Sequence, residues 1–201
     1  MSGARRLAGS AFVAAYRAGC RAWSKGFSLL AAGAFAEFGQ RSVIQPPVRL
    51  RGEARIAIGR EVFVGGGSWL QVDPHGPEGA ISIGDGTSIA GDCVLYSACS
   101  IAIGERVLMA RNVYVSDHSH AFGDVDRAVL DQGIDRVRPV EIGDGAWIGQ
   151  NVLIGPGVRV GRGAVVGANS VVLADVPAYA VAVGAPAVVV HSRVEERALA
   201  S

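Results

Sequence analysis

The chain is poor in cysteine, poor in charge, and without a long apolar run. Its three cysteines, Cys20, Cys93 and Cys99, are an odd number with no CxxC spacing. That argues against a disulfide framework or a cysteine-ligated zinc site and leaves small buried thiols in a reducing compartment. Nineteen Lys and Arg stand against eighteen Asp and Glu. No global charge therefore steers the chain to nucleic acid or an acidic partner. Within the first forty residues the longest uncharged run is 26–36, too short to cross a bilayer. The length suits one large domain or one domain with an appendage.

Glycine is plentiful: 28 of 201 residues, about twice the ordinary share. Half of the chain is apolar, so this is not a polar, Gly-rich disordered chain. Glycine here marks tight corners between buried strands. The Ala-rich start carries Arg17, Arg21 and Lys25 at every fourth position, on one face of a helix. Two readings stay open for it. One is a helix that packs on the main body and covers its open end. The other is a basic amphipathic helix that touches an anionic membrane surface through residues 1–40.

A six-residue period dominates the rest. Ile142, Ile148, Ile154, Val160, Val166 and Val172 follow one another without a slip, and Gly143, Gly149, Gly155, Gly161 and Gly167 follow five of them. Shorter sets precede: Ile58, Val64 and Leu70; Ile83, Ile89 and Leu95; Ile103, Met109 and Val115. Six residues suit a short strand plus a corner. Three such faces close a coil, and the count predicts an all-β solenoid, a parallel β-helix of about five coils. The expected division is a helical segment at 1–45, the β-helix at 46–190 and a tail at 191–201. A solenoid interior leaves no room for a substrate, so function belongs to outer faces and inserted loops. The insertions lie around 73–79 and, much longer, at 117–139.

These repeats, together with "LDQGIDRVRPVEIGDGAWIG" and "DVPAYAVAVGAPA", resemble the hexapeptide-repeat acyltransferases, and within them the O-acetyltransferases of sugars and envelope polysaccharides. The resemblance implies a left-handed β-helix, acetyl-coenzyme A as donor, a glycan or small-molecule acceptor, a homotrimer with the site between subunits, and a cytoplasmic location, reaching at most the inner face of the membrane. It also implies one catalytic histidine at the start of the loop. The stretch "VYVSDHSHAFGD" offers His118 and His120. On an extended strand these two share a side, and Asp117 and Ser119 face away. Counting five residues from Val115 in the family's register favours His120 as general base, with His118 beside it. Asp117 and Asp124 are candidates to orient the base or contact the acceptor.

For the donor the resemblance implies Trp147, Gly149, Gly167 and Ala168. Leu173, Ala174 and Val188 stand where related enzymes carry Thr-Lys and a further basic residue, which leaves Arg162 and Arg193 as the cations for the donor's phosphates. No metal is expected. Two alternatives stand beside this reading. One is a zinc enzyme of the β-helical carbonic anhydrase type, which needs a third histidine, His75 or His191. The other is a non-enzymatic β-helix scaffold.

Overall fold

The computed structural model describes residues 3–73 and 79–194. The loop residues 74–78, with His75, and the tail beyond 194 lie outside the described residues. Each aliphatic residue of the hexad sits on a strand of two to four residues, and three strands complete a coil. Three parallel sheets run along the prism. The first holds Glu37–Phe38, Ile56–Ile58, Ile81–Ile83, Ile101–Ile103, Val140–Ile142 and Arg159–Val160. The second holds Val43–Ile44, Phe63–Val64, Ser88–Ile89, Leu108–Met109, Trp147–Ile148, Val165–Val166 and Ala180–Gly184, closed by antiparallel Ala187–Ser192. The third holds Arg49–Arg51, Trp69–Val72, Val94–Ser97, Tyr114–Ser116, Leu153–Ile154 and Val171–Val172.

The register puts equivalent hexad residues one above another. Ile58, Ile83, Ile103, Ile142 and Val160 form one column. Val64, Ile89, Met109, Ile148 and Val166 form the second. Leu70, Leu95, Val115, Ile154 and Val172 form the third. All are buried, so the core is three aliphatic stacks meeting on the axis. Glycine follows the column residues because coils touch there. A Cβ on Gly143 or Gly161 would lie 2.6 Å from the Arg162 nitrogen or 2.3 Å from the Ala178 nitrogen. At another corner Asn112, Asn151 and Asn169 all take positive φ, which asparagine tolerates best among non-glycine residues. Their amides link coil to coil, at 3.2 and 2.9 Å.

The structure has one coil more than the period reveals. Residues 37–45, grouped above with the helical segment, supply two strands of a first coil that Arg49–Arg51 completes. The helix itself spans Gly3–Ala31. Its last turns cap the first coil: Phe27 and Ala31 pack on the core, and the Ile44 N–H donates to Ser28 Oγ at 2.9 Å. At the other end the 180–192 hairpin closes the stack. The cysteines are unbridged; Cys93 is buried, and Cys20 and Cys99 are partly covered.

Because Ile148 touches column neighbours above and below, Ile148→Ala should leave a cavity and cost about 2–5 kcal/mol. A urea titration should show this as a lower midpoint.

Candidate active site

The third strand of the fourth coil ends at Ser116, and the chain leaves the prism at the next residue. Val113, Val115 and Asp117 alternate inward along it, and all three are buried. Asp117 therefore occupies a core position with a carboxylate. It lies two residues beyond Val115, as Ser97 lies two beyond Leu95 in the coil alongside. Its oxygens accept from Ser97 Oγ, the Ala98 N–H and the Cys99 N–H, each at 2.8 Å. The fourth partner is His118 Nδ1, 2.8 Å away. Burial pushes the Asp117 carboxyl up, but the bonds from His118, Ala98, Cys99 and Ser97 outweigh it and hold it below the usual carboxylate range.

An ionised carboxylate can only accept, so the Nδ1 facing it carries the proton and Nε2 keeps the lone pair. The His118 ring also stands edge-on to Tyr96, with centroids 4.5 Å apart, and Ser116 Oγ donates to the His118 carbonyl at 2.9 Å. The ring is thus held by Asp117 and Tyr96 and its backbone by Ser116, with a small part of its surface open. His120 has a different setting. It is exposed, on the Ser119–His120 strand that pairs with Ile134–Asp135. The chain turns between Ser116 and Ser119, and the two histidines lose the common side that an unbroken strand would give them.

One expectation needs correction. Asp117 cannot contact an acceptor, because it is fully buried and its oxygens are taken. Asp124 is exposed, and its carboxylate accepts from the Asp126 N–H within the loop. The loop is instead stapled by Gln132, whose amide accepts from the Asp124 N–H and donates to the Asp124 and Arg127 carbonyls.

Trp147 is exposed on the second face, the face opposite the corner from which the loop departs. Gly149, Gly167 and Ala168 sit at the corner that follows it. One protomer therefore does not bring them against His118. Gly149 also has a packing reason to be glycine, since a Cβ there would meet the Ala168 nitrogen at 2.6 Å. Arg162 is exposed, and the Arg193 guanidinium donates to the Gly163 carbonyl at 2.8 Å. Among the described residues no three His, Cys, Asp or Glu side chains converge as a metal set; His191 lies in the closing hairpin. The surface depressions around Glu141 and Arg159 and around Arg60 and Asp85 are not lined by the pair.

Ser97 and Tyr96 were not singled out from the sequence. Ser97 was within reach: a polar residue two places beyond a column position, one coil from an aspartate at the same offset, signals a buried pair. The Tyr96 contact depends on how the chain turns at Asp117, which no periodicity encodes.

The family model for the bacterial transferase hexapeptide, in six repeats, matches residues 139–174. The hexapeptide-repeat-containing acetyltransferase VCA0836 of Vibrio cholerae superposes with a TM-score of 0.62 at 30% identity, over 84% of this chain and 80% of that one. This chain belongs to the hexapeptide-repeat transferases. Its fold is the left-handed parallel β-helix of that family. The maltose O-acetyltransferase of Clostridium difficile is a further structural neighbour, with a TM-score of 0.59 and 26% identity over 87% of each chain. "Probable acetyltransferase Rv3034c" of Mycobacterium tuberculosis is 39% identical over 140 residues, 70% of this chain and 45% of that protein. The chain spans about half the length of the curated relatives that it matches.

Asp117→Ala would remove the shared acceptor of four donors and should destabilise the protein by about 3 kcal/mol. A group with a lowered folded-state pKa contributes stability while ionised and loses it as pH falls through that pKa. The difference between wild type and variant should be constant above about pH 4–5 and shrink in more acidic solution. Chemical denaturation across a pH series measures it, and a difference unchanged in strong acid would contradict the assignment.

Proposed function

We propose that the chain is an O-acetyltransferase that moves an acetyl group from acetyl-coenzyme A to a hydroxyl of a sugar or envelope-glycan precursor, in the cytoplasm. The observation that carries the reading is the Asp117–His118 pair at the root of the long loop. His118 Nε2 takes the proton of the acceptor hydroxyl as its oxygen attacks the thioester carbonyl carbon. The carbon–sulfur bond then breaks, and the imidazolium returns the proton to the departing thiolate. Asp117 holds the tautomer and balances the transient positive charge. This moves the base from His120, which the register favours, to His118, which has the buried carboxylate; the exposed His120 is left as a loop residue near the acceptor.

Acetyl-coenzyme A as donor is supported by the Vibrio cholerae acetyltransferase, which was crystallised with it. A sugar hydroxyl as acceptor is supported by the maltose O-acetyltransferase among the structural neighbours. The homotrimer is supported by the division of the site. Trp147, Gly149, Gly167 and Ala168 lie away from His118 in one chain, and a neighbouring chain placed against the second face would bring the two halves together. The outer faces fit this use. The second and third carry exposed Phe63, Leu108, Trp147, Trp69, Tyr114 and Leu153, whereas the first presents Ser82, Ala102, Glu141 and Arg159. Closure around a threefold axis would bury the second face of one chain against the third face of the next.

A free-thiol assay over a panel of hydroxylated acceptors tests the reading. His118→Ala should lower turnover by about 100- to 10,000-fold, and His120→Ala by less than about tenfold. If only His120→Ala abolishes turnover, the base is misassigned by two residues. If no acceptor raises thiol release above background, the scaffold alternative holds. One retained zinc per site, needed for activity, would favour the carbonic anhydrase alternative.

A further inference from the structure

The helix Gly3–Ala31 does more than cap the first coil. Only its last third meets the body, through Ser24, Phe27, Ser28 and Ala31. The stretch 5–19 is exposed throughout. Gly9, Gly19 and Gly26 have open space where a Cβ would stand. A helix of this composition without tertiary contact is marginal in water, yet it displays large apolar side chains: Phe12 is 73% exposed, Tyr16 65%, Trp23 65% and Leu30 90%.

Leu7, Val13 and Leu29 are exposed elsewhere around the helix, but the larger group shares one side. At the roughly 100° per residue of an α-helix, Phe12, Tyr16, Trp23 and Leu30 fall within an arc of about 40°. Arg6, Arg17, Arg21 and Lys25 occupy an arc of about 100°, centred roughly 150° away. Of the residues that touch the body, Phe27 and Ala31 lie between the two arcs and Ser24 and Ser28 fall within the cationic one, so the aromatic arc has no partner among the described residues. The charge is one-sided as well. Arg5, Arg6, Arg17, Arg21 and Lys25 precede the first acidic residue, Glu37, although the whole chain is close to neutral. Among the described residues no helix is long and apolar enough to cross a membrane.

We infer that this helix is a docking surface for an anionic lipid bilayer, lying along the interface with Phe12, Tyr16, Trp23 and Leu30 in the headgroup region. Charge complementarity selects this occupant. Arg5 falls within the apolar arc and Arg6 and Arg17 within about 100° of its edge, and their long stems let the charged ends reach lipid phosphates; Arg21 and Lys25 add to the one-signed charge of the segment. Tyr and Trp place an apolar ring in the interface and keep a polar edge in water. The inference does not depend on the acetyltransferase reading, and its test involves no turnover.

Sedimentation of the full chain with vesicles is the experiment. The protein should pellet with phosphatidylcholine vesicles that contain phosphatidylglycerol, remain in solution with phosphatidylcholine alone, and be released by salt. Combined Arg17→Glu, Arg21→Glu and Lys25→Glu should lower partitioning by about 100-fold or more. Combined Phe12→Ser and Trp23→Ser should weaken it at least about tenfold at unchanged unfolding temperature, since both side chains are exposed. Failure to pellet with anionic vesicles, or binding unchanged in both variants, would overturn the proposal. So would variants that alter only the oligomer mass in light scattering, which would make a second copy of the chain the occupant.

Discussion

No strand in this solenoid can hold itself. Strands of two to four residues satisfy their backbone groups only by bonding to the coil above and the coil below, and inward side chains find partners only in those same coils. Stability therefore comes from the regular vertical spacing of equivalent positions. The six-residue repeat is that spacing written into the chain. The glycine corners follow from it, because coils at strand distance leave no room for a Cβ where one corner rides over the next. The asparagine ladder follows too: one corner geometry, repeated three times, allows one side chain to bond its copy in each neighbouring coil.

The reactive pair is an extension of the same constraint. Asp117 sits where a fourth-coil aliphatic residue would otherwise extend the core. A carboxylate is tolerated there because the coil alongside presents Ser97 and the Ala98 and Cys99 amides, as that coil itself turns a corner. The anion is thus a structural fixture, coordinated like a core element, and the imidazole attached to it inherits that rigidity. His120, two residues later, belongs to the loop and has no such anchor.

Much of this was legible in the sequence. The three columns that begin at Ile58, Val64 and Leu70 came straight from the period, and so did the point where the long loop departs. The first coil was hidden because its repeats are imperfect: Ile44 and Leu50 keep the spacing, but Gln45 and the adjoining Pro46 and Pro47 stand where a glycine-marked corner is expected. The choice between the two histidines was hidden for a different reason. Alternation along a strand predicts Asp117 inward, and that is where it lies. The rule fails one residue later, where the backbone turns out of the strand, and from there the position of a side chain depends on what the adjacent coil offers. The roles first suggested for Asp117 and Asp124 treated carboxylates near a histidine as equivalent, whereas burial separates them completely.

The long loop leaves and returns at one place. The Arg138 N–H donates to the Asp117 carbonyl at 2.8 Å, and the chain re-enters the first sheet at Val140. Seen from the solenoid, the whole excursion is a closed detour across a single hydrogen bond, with its own internal staple in Gln132. A detour of this kind behaves as an interchangeable cassette. Its length and side chains can drift, or be replaced outright, while the stacking of coils and the geometry of the Asp117–His118 pair stay unchanged. In the proposed reaction, the segment that would meet the acceptor and the pair that would move the proton are thereby structurally separable parts of one continuous chain.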